Sequence, residues 1–293
     1  MVKGLVKLAS VFVLAFLTQA QPLRPAQSAR IVSTFPSVTE TLFALGAGDR
    51  VVGVSNYCRY PPAVLSLPKV GTFIKPDPEK IALLRPDLVI IDKSATGLAE
   101  RLTALGIHHA GVKLGSLAEV YSMIRDIGAA IGSPERAEKL NASIGSRLNT
   151  IRRETGHSRR PSVLIVIGRT PGQLTGLIAV GPAAYLGEEL EIAGGRNVLT
   201  ETAIDYPHIS LETVERLNPD VILDLSLMGN ADNDPATDER INERIKEPWL
   251  SHRELNAVRR GAIFGLTSEP LTTPGPRVVD AVELLQKTIY KKQ

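Results

Sequence analysis

The stretch PEKIALLRPDLVIID, Pro78 to Asp92, returns in the second half of the chain as LETVERLNPDVILDL, Leu211 to Leu225. In the first copy apolar residues fall at helical spacing up to Leu84, and the helix stops at Arg85-Pro86-Asp87. A short unbroken apolar run then begins, the pattern of a strand covered on both faces. The second copy repeats the plan, matching Glu79 with Glu212, Leu84 with Leu217, Pro86 with Pro219 and Asp87 with Asp220. One helix, turn and strand unit is used twice.

A second correspondence precedes each copy. TETLFALGAGDRVVGVS from Thr39 and LGEELEIAGGRNVLTE from Leu186 both read as a helix closed by a glycine turn and followed by a strand. The strands RIVSTF (Arg30 to Phe35) and SVLIVIG (Ser162 to Gly168) open the two halves. Strands alternating with helices imply α/β lobes with doubly wound parallel sheets. Between them SPERAEKLNASIGSRLNTIRRET starts with Ser133 as N-cap and proline at the first helical position. The expected organisation is therefore an N-terminal lobe over 30–132, a linking helix over 133–156 and a C-terminal lobe over 157–293. One crossing by a stiff helix predicts small hinge motion and a ligand cleft between the lobes. MGNADNDPATDER, Met228 to Arg240, reads as a surface loop of the second lobe.

The N-terminus carries Lys3 and Lys7, an apolar run from Leu8 to Leu17, then Thr18-Gln19-Ala20. This is the pattern of a secretory signal peptide over 1–20, with cleavage after Ala20 or as late as Ala29. The run is too short to span a bilayer, so a soluble periplasmic or secreted protein is expected. The formal charge of +3 falls to +1 without the two leader lysines, which leaves no footprint for nucleic acid. One cysteine rules out a disulfide framework.

No G-x-S-x-G elbow, H-E-x-x-H pair or phosphate-binding glycine loop is present. The paired glutamates sit at helix starts in separate lobes, where they cannot act as the two carboxylates of a glycosidase. A secreted hydrolase is thus the distant alternative to a binding protein. His108-His109 lacks the further ligands a metal site needs and reads as a solvated or half-buried strand end. His208, beside Tyr206, is the better cleft histidine.

STFPSVTETLFALG, GVSNYCRYPP followed by PKVGTF, PEKIALLRPDLVI, AGGRNV and HISLETVERLNPDVI occur in the order and spacing of a known family. The chain resembles the helix-backbone (class III) periplasmic binding proteins, which deliver cobalamin, iron-siderophores or haem to ABC importers, over essentially the whole mature sequence. Its YP loop followed by VG is most similar to the cobalamin binders. The resemblance implies a cleft lined by Pro36, Ser37, Tyr60, Phe73 and Asp92 from one lobe and by Tyr206, Glu269 and Arg277 from the other. Where those binders carry cleft tryptophans, this chain has Phe73, Tyr206 and Asp92, and its one tryptophan, Trp249, falls in a peripheral loop region.

The resemblance also implies an ABC permease as partner, met through Glu79 and Glu212, and a metal chelate as cargo. A corrinoid is the first expectation, with a ferric siderophore or haem as the runner-up. It implies no catalysis, no resident cofactor or metal, membrane contact only through the permease, and a monomer. Tyr57 and Tyr60 flank Cys58 in the loop and are read with Tyr206 as cleft lining. Cys58 has three readings: a buried small hydrophobe, a residue of the cleft lip, or a thiolate metal ligand. Lip or pocket wall without coordination is the reading adopted.

Overall fold

Asp87 and Asp220, the matched aspartates of the repeat, do the same work in three dimensions. The Asp87 Oδ2 accepts from the Arg30 N–H at 2.9 Å, and the Asp220 Oδ2 accepts from the Ser162 N–H at 3.1 Å. Each ties the turn after its helix to the start of the strand that opens its lobe. The residue before each proline is also matched, because Arg85 and Asn218 both turn left-handed, with φ of 46° and 43°. A left-handed residue stops a helix abruptly, and the following proline prevents it from resuming.

The computed structural model describes residues 30–156, 159–226 and 235–291. The leader expected over 1–20 and its cleavage sites lie outside the described residues. The first lobe runs β1 (Ile31–Ser33), α1 (Pro36–Ala44), β2 (Val51–Val54), α2 (Pro78–Leu83), β3 (Leu88–Asp92), α3 (Thr96–Ala104), β4 (His109–Val112) and α4 (Leu117–Ala130). Its sheet has the order β2-β1-β3-β4 and is parallel throughout. Helix α5 (Pro134–Thr155) comes next in the chain.

The second lobe runs β5 (Ser162–Gly168), β6 (Leu177–Ala179), α6 (Tyr185–Ile192), β7 (Arg196–Asn197), β8 (His208–Ile209), α7 (Leu211–Leu217), β9 (Val221–Asp224), α8 (Pro235–Lys246), α9 (Asn256–Arg259), β10 (Ile263–Gly265) and α10 (Val278–Ile289). Strands β7, β5, β9 and β10 are parallel neighbours in that order and reproduce the plan of the first sheet. The sequence expectation of parallel sheets fails at one place. Strands β6 and β8 are added antiparallel, β6 pairing with the far end of β5 on the side that β7 takes at its start. Both strands are too short to show a period in a stretch rich in Thr, Pro, Gly and Asp.

Helix α5 buries Ala137, Asn141, Ile144, Leu148, Ile151 and Thr155, spaced alternately four and three residues apart, so that one stripe faces inward along its length. At 1.5 Å per residue its 22 residues span about 33 Å. The stripe joins a single apolar core that contains Ile31 and Ile127 of the first lobe and Val163 and Leu285 of the second. A rod embedded in both cores resists bending. Ser133 precedes this helix, but its side chain makes no capping bond; Pro134 holds the first position.

Two further expectations are corrected. Of the supposed surface loop over 228–240, residues 235–240 begin α8, whose Ile241 and Ile245 are buried one turn apart, and 227–234 lie outside the described residues. Trp249 is fully buried, its indole N–H donating to Asp224 Oδ2 at 2.9 Å, because a buried indole needs an acceptor and Asp224 provides one. No helix among the described residues is long and apolar enough to cross a membrane.

Candidate ligand cleft

The ends of the first lobe's strands converge on one crevice. Phe35, Pro36 and Ser37 follow β1, Tyr57 follows β2, Asp92 ends β3, and Leu114-Gly115 follow β4; all of them line a cavity of about 560 Å³. Ligands of open α/β sheets bind beyond the carboxyl ends of the strands. The opposite wall is a loop of the second lobe, represented by Thr267, Glu269 and Pro274. Phe73 stacks obliquely on Phe35 at 5.8 Å and on Tyr57 at 5.4 Å between ring centres, so three rings form an aromatic shelf on the first lobe.

Two adjoining compartments extend the cleft. One, of about 610 Å³, shares Arg59, Thr267 and Glu269 with the first and adds Tyr60 and Arg277. The other, of about 770 Å³, shares Leu114, Gly115, Thr272 and Pro274 and adds Tyr185, Asp205 and Tyr206. Phe73 and Tyr206 are separated by the same interval as Glu79 and Glu212, so the two aromatic rim residues are equivalents in the repeat. Burial raises the Tyr206 hydroxyl pKa, and Asp205 and then Glu189 push it further.

The structure thus brings Pro36, Ser37, Tyr57, Tyr60, Phe73, Asp92, Tyr206, Glu269 and Arg277 to one cleft, in three compartments. It does not bring Cys58 there. Cys58 is 1% exposed and belongs to the core of the first lobe, its Sγ 3.1 Å from Thr39 Oγ1 on α1. At that burial it packs as a small hydrophobe, and burial also raises its pKa, against a thiolate role. The lip reading is corrected: the backbone bends at Ser55, where the Cys58 N–H is bonded, and turns the thiol beneath the loop while both tyrosines stay outside. His208 is exposed on β8 and lines none of these compartments. His108 is exposed and His109 half-buried at the start of β4, as expected.

Arg277 has an occupation the sequence did not reveal. Its Nε donates to Glu40 Oε2 at 2.8 Å and its Nη2 donates to Glu40 Oε1, from the second lobe to α1 of the first. Its guanidinium carbon lies 4.0 Å from the centre of the Tyr60 ring, and Nη2 lies 3.5 Å from Glu269 Oε2. Burial raises the Glu40 carboxyl above the usual range while Arg277 pulls it back. For Arg277 burial works the other way, and Glu40 more than restores the charge. A second carboxylate crosses in the opposite direction: Glu188 of α6 accepts from the Leu117 N–H at the start of α4 at 2.6 Å.

Asp92 is held in place by its own turn, Oδ1 accepting from the N–H and hydroxyl of Ser94. Sequence reasoning missed Phe35, Arg59 and the Thr272–Pro274 strip; Phe35, beside the motif residues Pro36 and Ser37, and Arg59, between Cys58 and Tyr60 in GVSNYCRYPP, carried a signal, and the strip did not. Glu79 and Glu212 are exposed in the first turns of α2 and α7, below the N-caps Asp77 and Ser210. Glu79 pairs with Arg101 at 2.8 Å, whose hydrogen bond lowers its pKa, and Ser210 does the same for Glu212. Among the described residues one cluster of metal-type ligands occurs, Glu215, His252 and Glu254, and none of the three lines the cleft.

Comparison with known proteins agrees with this geometry. A family model described as periplasmic binding protein matches residues 31–270. An uncharacterized ABC transporter substrate-binding lipoprotein, YvrC of Bacillus subtilis, is 29% identical over 89% of this chain and 80% of its own. The vitamin B12-binding protein of Vibrio cholerae is 28% identical over 92% of this chain and 91% of its own. Among solved structures the periplasmic heme-binding protein RhuT from Roseiflexus is 28% identical, covering 90% of this chain and 98% of its own with a TM-score of 0.75. With two α/β lobes, a rod between them and a cleft at their strand ends, the chain belongs to the periplasmic binding protein family and is a non-enzymatic substrate-binding protein of an ABC transporter.

Proposed function

We propose that the protein captures a corrinoid such as cobalamin outside the cytoplasm and hands it to an ABC permease. The observation that carries the choice is the polarity of the cleft. The three tilted rings offer an apolar aromatic surface for a macrocycle, and the carboxylates of Asp92, Glu269 and Asp205 outnumber the Arg59 guanidinium around it, while Arg277 is engaged by Glu40. A ring edged with amide side chains brings N–H donors to those acceptors. A ring or chelate edged with carboxylates brings like charge, which costs several kcal/mol when desolvated. The B12-binding relative supports the same reading.

Haem is the second reading, favoured by the likeness to the heme-binding RhuT and by four tyrosines at the cleft, Tyr57, Tyr60, Tyr185 and Tyr206, since tyrosine oxygen ligates ferric iron. Protein purified from cells supplied with cobalamin, haemin and ferric siderophores together tests the choice through its visible spectrum. Corrinoid bands support the proposal, and a Soret band or a siderophore charge-transfer band overturns it.

Glu79 and Glu212 are proposed as the permease contacts, one exposed carboxylate on each lobe. Their first-turn position is favoured by the helix dipole in any case, so the test must separate delivery from stability. Glu79→Arg with Glu212→Arg is expected to leave ligand affinity and Tm nearly intact and to abolish importer-driven uptake in reconstituted vesicles. Normal uptake leaves these residues only their helix-start role.

A further inference from the structure

Glu40 lines none of the three compartments, yet it is bonded to Arg277, which touches Tyr60 and Glu269 on their walls. Its carboxylate is 3% exposed on α1, where every residue from Ser37 to Leu42 is buried. A charge in such surroundings is retained only if it is paired, and Arg277 supplies the pair from the other lobe through two hydrogen bonds. These bonds fix the plane of the guanidinium. One face of that plane then meets the Tyr60 ring at 4.0 Å, within the range of a cation–π contact. The remaining neighbour, Glu269, is at 3.5 Å, beyond good hydrogen-bond length.

The ordering of the two carboxylates has a chemical result. Glu40 holds Arg277 edge-on and closely, and Glu269 touches it loosely. Glu269 also lines two of the three compartments. Were Arg277 released from Glu40, the next carboxylate within reach would be Glu269, and the acceptor facing the ligand would be neutralised while Tyr60 lost its cationic support.

We propose that Glu40 is a positioning residue for ligand capture: it holds Arg277 against the first lobe and beneath Tyr60, and so keeps the Glu269 carboxylate open to a hydrogen-bond donor on the ligand. This role rests on the proposed function of the cleft, in that the ligand meets Glu269. It assigns Arg277 to bridging the lobes rather than to anchoring the ligand.

The test uses Glu40→Gln, which keeps the shape and one acceptor, beside Glu269→Gln and the double variant. In ligand-free protein the Arg277 Nε–H resonance, assigned by its loss in Arg277→Lys, is expected to stay in place in Glu269→Gln and to shift in Glu40→Gln. It should shift again when Glu269→Gln is added to Glu40→Gln. A resonance unmoved by Glu40→Gln, or moved equally by Glu269→Gln alone, overturns the proposal whatever the ligand is. In the ligand arm, with cyanocobalamin as probe, Glu40→Gln should weaken binding about tenfold, or about 1.4 kcal/mol, and should add little in the Glu269→Gln background. Full additivity of the two losses, or undiminished binding by Glu40→Gln, also overturns it. If the wild-type protein binds no cyanocobalamin, the corrinoid reading fails and the resonance experiment alone decides the role of Glu40.

Discussion

The two lobes agree where the backbone demands it and differ where side chains meet at the end of the third strand. Asp87 and Asp220 hold equivalent turns, and Arg85 and Asn218 make equivalent left-handed stops. At the end of β3, however, the first lobe buries Ile91 followed by Asp92 at the cleft, whereas the equivalent pair in the second lobe is Asp224 and Leu225. The alternation of apolar and acidic is reversed. In the first lobe the acid faces the cleft, and in the second it turns into the core, where Arg169 pairs with it at 2.8 Å and Trp249 donates to it. One scaffold thus gives one wall a carboxylate for the ligand and gives the other a carboxylate for its own core.

The sharpest way to disturb this contrast is to unpair the second lobe's acid. Arg169 and Asp224 are 2% and 0% exposed in their side chains. Removing one partner of a buried pair costs about 3–5 kcal/mol, so Arg169→Ala should lower Tm more than any turn, rim or helix-stop substitution, as read by circular dichroism. The double variant Arg169→Met with Asp224→Leu imitates the apolar first lobe and should recover part of the loss, the remainder being the cost of leaving the buried Trp249 N–H without its acceptor. A double variant no better than the single one would show that the pair is needed for more than its charges.

Next in size are the matched turn aspartates. Asp220→Ala should cost about 2 kcal/mol and Asp87→Ala about 1, because Asp220 also accepts from the Ser162 hydroxyl and pairs with Arg260. Burial opposes ionisation of Asp220, but the Ser162 N–H and hydroxyl prevail and hold its pKa below the ordinary 3.8. A depressed carboxylate gives stability that is present above the ordinary value and lost as pH falls through the folded one. Asp220→Asn should therefore flatten the acid limb of the stability curve, and denaturant melts between neutral and acid pH measure that slope.

The rim aromatics sharpen the comparison on the ligand side. Tyr60→Ala, Phe73→Ala and Tyr206→Ala should each weaken binding by about 1 kcal/mol, since each removes ring area from a cleft wall. Phe73 should cost the most of the three, because it alone touches two other rings. Equal losses at Phe73 and Tyr206 would mean that the ligand uses both lobes alike.

The smallest effect belongs to the left-handed stops. Arg85→Gly should change stability by less than about 1 kcal/mol, with strain relief and unfolded-chain entropy in opposition. Asn218→Gly should be worse, because Asn218 Oδ1 accepts from the Asn256 N–H at 2.7 Å.

Much of this was legible in the sequence. The repeated helix, turn and strand unit exposes both lobes because a two-sided buried strand must be apolar throughout and its turn must contain the stop. The cleft residues next to strand ends were legible for the same reason. Arg277 was read as cleft lining and does line one compartment, but its partner Glu40 is 237 positions away, and no local pattern announces a bond across that distance. Cys58 and Trp249 were misplaced because each sits in a polar, proline-containing stretch, while the partners that bury them, Thr39 and Asp224, come from other elements. Strands β6 and β8 were missed because three and two residues carry no periodicity.

The claim that the cleft serves a corrinoid is tested most directly by calorimetric titration of the purified protein with cyanocobalamin, haemin and a ferric siderophore at one pH and salt concentration. A one-to-one binding isotherm is expected with cyanocobalamin and none with the two carriers of anionic edges. A saturable isotherm with haemin or the siderophore, and no heat with cyanocobalamin, would contradict the claim.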